Sequence, residues 1–296
     1  MERLSPSLQL YDPRNGDLSL RVEPFENGPA STPQRTNYFT VFWVQQGIGE
    51  FFADSGQYPF VANSLLFLSP YQSFKFACDT GLRGLCLKFH ANFLCIETHH
   101  EEVGCNGVLF NDSYGTPGVR LDECHVQECA AVLEQMRREL GERGLAHSEV
   151  LLSYLKIFLI RVTRLKLRQQ ELMSAPAVRL PETLVNLKRL IEENFRTHHA
   201  AADYSAMLRI TPKSLARLVR LHLSKTFTEL IRERIIRQAK WELLHTRKPV
   251  KEVAMDLGFA DTFYFSRLFK QAAGCSPVFF RNFETEIRGG RNLSMR

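Results

Sequence analysis

Two groups of side chains have types and spacings that could do chemistry. The first is cationic and hydroxylic. Thr211-Pro-Lys-Ser opens a helical pattern whose outward face carries Lys213, Ser214, Arg217 and Arg220. Asp261 opens a second, whose outward face carries Thr262, Phe263, Ser266, Arg267 and Lys270. Arginine and lysine can grip guanine O6/N7 or a phosphate, and a phenyl ring can touch a thymine methyl. Lys213 and Arg217 stand four apart and so share one side of a helix. Arg220 and Lys270 fit phosphate better than a base. Two assignments have rivals: Arg267 could brace Asp256 or a neighbouring carbonyl, and Phe263 could belong partly to the core. The second group is His90, Cys95, His99, His100 and Cys105, within sixteen residues. Imidazole and thiolate are common metal ligands. The group has no CxxC or HxH pair, and no histidine precedes His90. Packing is the favoured reading, ahead of metal or redox sensing. No metal site, cofactor or catalytic residue is assigned, and the chain is read as a non-enzyme.

The cationic residues need elements to carry them. Val250 to Lys270 reads as a short helix, a tight turn at Gly258 and a second helix from Asp261. Positions 250, 253, 254 and 257 form one apolar face, and Phe265, Leu268 and Phe269 the other. Glycine accepts the left-handed backbone that ends a helix, and an aspartate caps the next one. This is the outline of a helix-turn-helix. It has an echo at an offset of 50: Leu215-Ala-Arg-Leu-Val-Arg220 matches Phe265-Ser-Arg-Leu-Phe-Lys270, apolar on apolar and cation on cation. Ala206-Met-Leu-Arg-Ile210 takes the place of Met255-Asp-Leu-Gly-Phe259. The helix Thr226–Thr246, anchored by Trp241 and Leu244, would join the two units. A rigid link would set both outward faces on one duplex, one helical turn or about 34 Å apart.

Upstream, short runs rich in Phe, Val, Tyr and Leu are divided by turn residues. Candidate strands are Phe39–Gln45, Glu50–Ala53, Tyr58–Val61, Leu65–Leu68, Ser73–Ala77 and Gly84–Phe89, which argues for an antiparallel barrel or sandwich. Phe42, Trp43, Phe51, Phe67, Tyr71 and Phe76 could line a pocket inside it, though alternation sends only half of them inward. A short helix is expected at Ala91–His100, then helices at Asp122–Leu140 and Ser148–Met173. In the latter, Leu151, Leu155, Phe158, Val162 and Leu165 recur at spacings of four and three. That register packs lengthwise on another helix, either within the chain or as the seam of a homodimer, and the homodimer is the favoured reading. The domains are therefore 1–120, 121–173 (a helical dimerisation element), a proline-containing linker 174–181, and 182–285. A polar tail, 286–296, is expected to be disordered.

Charge divides along the same line. Residues 1–145 hold 11 basic and 18 acidic side chains, whereas residues 181–296 hold 21 and 12. A basic end on an acidic body directs one end of the molecule to a polyanion. The seven cysteines lack paired spacing and read as reduced thiols. No signal peptide or membrane span is evident, so a cytoplasmic protein with no membrane partner is expected.

Residues 195–281 resemble the AraC/XylS-type transcription regulators. The resemblance rests on Ile236-Arg-Gln-Ala-Lys-Trp-Glu-Leu-Leu-His-Thr246, on Val250 to Lys270, and on Gly274-Cys-Ser-Pro277. The N-terminal half is similar to the cupin-like sensor barrel often joined to this domain. Two departures are Arg209, where the first turn usually has Gly, and Val219, where Phe is common. The resemblance implies an α+β multidomain protein: an antiparallel, cupin-like β-barrel with helices, then an all-α domain with two helix-turn-helix units. It implies double-stranded DNA read in two successive major grooves, with a small-molecule effector and RNA polymerase as further partners. Its rivals are a metal-dependent cupin enzyme fused to a DNA-binding domain and an architectural protein without sequence preference.

Overall fold

The computed structural model describes residues 5, 7–26, 32–78, 81–96, 108–110, 112, 114–173 and 181–289. The N-terminal strands are β1 (Leu8–Gln9), β2 (Leu20–Glu26), β3 (Arg35–Thr36), β4 (Phe39–Gln46), β5 (Gly49–Ala53), β6 (Gly56–Phe60), β7 (Ser64–Leu68), β8 (Phe74–Cys78), β9 (Arg83–Phe89) and β10 (Gly118–Arg120). They form a five-stranded antiparallel sheet, β10-β7-β4-β9-β2, and a three-stranded one, β6-β5-β8. β1 and β3 make a short parallel pair. The antiparallel architecture is as expected, but the two sheets lie as separate layers and do not close into a barrel among the described residues.

β4 lies at the centre and is buried on both faces, which is why it reads as a continuous apolar run. Val41 and Trp43 point to one side, with Leu65, Phe67, Leu87 and Phe89. Phe42 and Val44 point to the other, where they meet Phe51, Phe60, Phe74 and Phe76 of the smaller sheet. The six residues proposed as one pocket are thereby divided. Phe42, Phe51 and Phe76 fill the space between the sheets, Trp43 and Phe67 face the helices, and Tyr71 joins the core of the C-terminal half. The inter-sheet layer is closed by ring-on-ring contacts such as Phe51–Phe76 at 4.9 Å and Phe42–Phe76 at 5.1 Å.

Helices α1 (Glu123–Glu142) and α2 (His147–Met173) cover the outer face of the large sheet. Asp122 caps α1 by accepting the His125 amide at 2.9 Å. The proposed seam is corrected here: Leu151, Leu155, Phe158, Val162 and Leu165 are all between 0 and 7% exposed inside their own domain. They pack in one core with Trp43, Phe67, Leu133 and Met136. A lengthwise apolar stripe satisfies an intrachain partner as well as a second copy, and here the sheet and α1 occupy it. Leu155→Ala should therefore cost about 2–5 kcal/mol by urea denaturation. A seam residue would instead shift the assembly state and leave the fold intact. Residues 91–96 hold turns and irregular backbone rather than a helix, and His99 and His100 lie outside the described residues, as do Cys105, the linker up to residue 180 and the tail from residue 290.

The C-terminal half comprises α3 (Glu182–Asn194), α4 (Ala201–Leu208), α5 (Pro212–Leu223), α6 (Phe227–His245), α7 (Val250–Asp256), α8 (Thr262–Ala273) and α9 (Pro277–Ile287). One core runs through all of them, from Leu184 to Phe280. Thr226 and Glu229 form a capping box that starts α6. Trp241 is 45% exposed and stacks on His245 at 4.9 Å, so Leu243 and Leu244, not Trp241, anchor the end of α6.

The two halves are joined by polar contacts. Arg35 donates to the carbonyls of Gln271 and Ala272 at the end of α8. Ser55 donates to Glu233 at 2.8 Å, and Lys225 binds the same carboxylate at 2.6 Å. Deepest of all is Glu284 of α9, 1% exposed. It accepts from Tyr71 Oη at 2.5 Å and Asn37 Nδ2 at 3.1 Å, and pairs with Arg288 at 3.0 Å and His90 at 3.5 Å. Burial alone would raise its pKa; the hydrogen bonds from His90 and Tyr71 and the Arg288 charge outweigh that and hold it at about 2.

Candidate nucleic-acid interface

The first unit is built from α4 and α5. Thr211 accepts the Ser214 amide at 3.1 Å, and Pro212 occupies the first helical position, where its missing N–H costs nothing. Leu215, Val219 and Leu223 are buried, which turns Lys213, Ser214, Arg217 and Arg220 to solvent. Val219, where Phe is common in the resemblance, fills its place in the core at 0% exposure.

The second unit is built from α7 and α8. Asp261 accepts the Phe263 amide at 2.7 Å. Phe265, Leu268, Phe269 and Ala273 are buried. Phe263 is 83% exposed, so it is not a core residue. Arg267 and Lys270 are exposed, while Thr262 and Ser266 are half-buried at the edge of the same face. Asp256 pairs with Lys248 at 2.5 Å.

The turns of the two units make the same hydrogen bonds. Arg209 N–H donates to Ala206 and Ile210 N–H to Ser205; Gly258 N–H donates to Met255 and Phe259 N–H to Ala254. The residue at the bend is left-handed in both, φ 55° at Arg209 and 82° at Gly258. The arginine that departs from the usual glycine therefore keeps the turn, at a steric cost of about 1–2 kcal/mol. The units differ by one residue, Ala260, between bend and cap. Helix α6 links them; its 19 residues span roughly 28 Å.

The outward side chains of both units are thus exposed or half-buried at the surface. A cavity of about 420 Å³ lies instead between the halves, bordered by Phe67, Tyr71, Lys225, Glu233, Lys240 and Glu284 among others. Of the six aromatic residues proposed as a pocket, Phe67 and Tyr71 reach it. Among the described residues no group of three or more His, Cys, Asp or Glu could hold a metal ion. His90, taken from the sequence as part of a His/Cys cluster, belongs to the Glu284 network, where its Nε2 lies 3.4 Å from Asn37. The sequence carried a signal for that network: Glu284 interrupts the apolar stripe Phe280, Glu284, Ile287 of α9. Among the described residues no helix is long and apolar enough to cross a membrane.

Two helix-turn-helix units on one linking helix define the class: a bipartite helix-turn-helix domain. Comparison with known proteins agrees. Residues 204–282 match the family described as a helix-turn-helix domain. The chain is 35% identical over 85 residues to the arabinose operon regulatory protein of Salmonella typhimurium, covering 29% of this chain and 30% of that one. It is 22% identical over 251 residues to the uncharacterized HTH-type transcriptional regulator YfiF of Bacillus subtilis, covering 83% of this chain and 77% of that one. Solved structures similar to it include the C-terminal domain of AraT, a response regulator from Geobacillus stearothermophilus. That likeness has 27% identity and a TM-score of 0.35, over 36% of this chain and 88% of the other. ToxT from Vibrio cholerae O395 is similar at 15% identity and a TM-score of 0.37, over 89% of this chain and 97% of the other. Residues 204–282 therefore form a helix-turn-helix domain, in a region similar to the arabinose operon regulatory protein.

Proposed function

We propose that this protein is a sequence-specific DNA-binding transcription regulator that reads two successive major grooves. The observation that carries the reading is the pair of matched turns, each followed by a capped helix whose outward face is free and cationic. Base edges would be met by Lys213, Ser214 and Arg217 in one groove and by Thr262, Phe263, Ser266 and Arg267 in the next. Arg220 and Lys270, further along each helix, suit phosphates. Arg217→Ala should weaken binding to the preferred duplex by about 1–3 kcal/mol and relax base choice in one groove only. Gel-shift titration against that duplex and a scrambled one, at several salt concentrations, checks this. An architectural protein would show equal affinity for both duplexes.

Control of the regulator belongs to the boundary between the halves. A small effector fits the cavity there better than the filled layer between the sheets, and it would bias docking by touching both domains. A compound that stabilises the full chain in a thermal-shift screen should lose its effect in Lys240→Ala and keep it in Phe51→Leu. The reverse pattern would place it between the sheets. In this reading the regulator acts with RNA polymerase in the cytoplasm. Sedimentation with and without DNA sets the number of chains per site, one or a dimer.

A further inference from the structure

We propose that Arg196 is a positioning residue for two-groove reading, locking the two helix-turn-helix units at one setting and so fixing the separation of the two DNA subsites. The inference rests on the two-groove reading above and adds the device that makes the two grooves a single site.

Arg196 lies between α3 and α4, on the side of the first unit, and its guanidinium reaches the second. Its Nη2 donates to Glu242 Oε1 at 2.7 Å, and its Nη1 to the Asp256 carbonyl at 3.4 Å. Glu242 is on the linking helix α6, and Asp256 is the last residue of α7. A cation at the carboxyl end of a helix also meets the negative end of its dipole. The backbone of Arg196 is engaged as well. A Cβ placed on Gly258, at the bend of the second unit, would come within 2.3 Å of the Arg196 carbonyl oxygen and 3.1 Å of the His199 ring. That ring packs against Phe259 in a tilted contact, centroids 5.1 Å apart. The loop of the first unit is thus seated directly on the turn of the second.

These contacts differ in kind from the shared core. Apolar burial holds the units together without specifying an angle. A planar fork spanning a carboxylate and a carbonyl does specify one. Glu242 makes the fork exacting. It is 3% exposed, its Oε1 is shared with Gln238 at 3.1 Å, and its Oε2 has no hydrogen-bond partner. Its charge is compensated chiefly by Arg196, so the carboxylate favours the one arrangement in which the guanidinium is in place.

The test is selection of random duplexes by the full-length chain, followed by sequencing. The unmodified chain should enrich two subsites at one separation, about 10 bp between centres. Arg196→Ala should enrich the same two subsites at several separations. The double variant Arg196→Met/Glu242→Gln removes both charges, so no buried carboxylate is left unpaired, and it should broaden the separations in the same way. A purely structural role would lower yield or affinity while leaving the separation single. One unchanged separation in the double variant would overturn the assignment. Enrichment of only one subsite by the unmodified chain would remove the two-groove reading itself, and the assignment with it.

Discussion

Glu284→Gln should lower the stability of the full chain by about 3–5 kcal/mol at neutral pH, the cost of breaking a buried ion pair from one side. Glutamine keeps the shape and can still accept from Tyr71 and Asn37. It cannot neutralise Arg288, which pairs with Glu284 at 3.0 Å, and it leaves the His90 contact without its charge. Because Asn37, Tyr71 and His90 come from the N-terminal half, the loss falls on the docking of the two halves. The pH dependence carries its own sign. Glu284 has its pKa lowered from 4.5 to about 2. Its contribution, about 3 kcal/mol, is therefore complete above pH 4.5 and is lost as pH falls through about 2. Urea unfolding followed from pH 6 down to pH 2 should show that decline in the unmodified chain and a flatter profile in Glu284→Gln. Identical profiles would mean that the carboxylate contributes nothing to docking.

Gly258→Ala should be clearly destabilising and Arg209→Gly close to neutral, although they fall at equivalent points of the two turns. At Gly258 the backbone is left-handed, and the new methyl would meet the Arg196 carbonyl at 2.3 Å. Left-handed strain of about 1–2 kcal/mol adds to an overpacking cost of about 1–3 kcal/mol. DNA binding should fall with stability, because the turn seats α8 against α7. At Arg209 the same left-handed backbone is already borne by a side chain in an exposed position. Glycine relieves that strain but gains freedom in the unfolded chain, so the change should stay within about 1 kcal/mol. Thermal unfolding of the two variants beside the parent separates them; equal destabilisation would contradict the equivalence of the turns.

The sequence was most legible where one signal had one structural solution. Glycine at 258, aspartate at 261 and Thr211-Pro212 each admit one local geometry, and the 50-residue echo carried the second unit from the first. Strands were legible as strands, because turn residues bracket them. Their faces were not. β4 is apolar on both sides, so alternation could not tell which of Phe42 and Trp43 faces which layer. The stripe from Leu151 to Leu165 had two solutions, a sheet or a second chain, and nothing local chooses between them. Glu284 and His90 are far apart in sequence and meet only because α9 docks on the end of β9. Glu284 stood out only as a charge in an apolar stripe. Arg196 was silent: an arginine after a helix looks like any solvated cation until Glu242 is placed beside it.

Hydroxyl-radical footprinting of the full chain on its selected duplex tests the central claim most directly. Two protected patches on one face of the duplex, about 10 bp apart, are the predicted result. Arg217→Ala should weaken only the first and Arg267→Ala only the second. A single protected patch, or both variants fading the whole footprint evenly, would contradict the account.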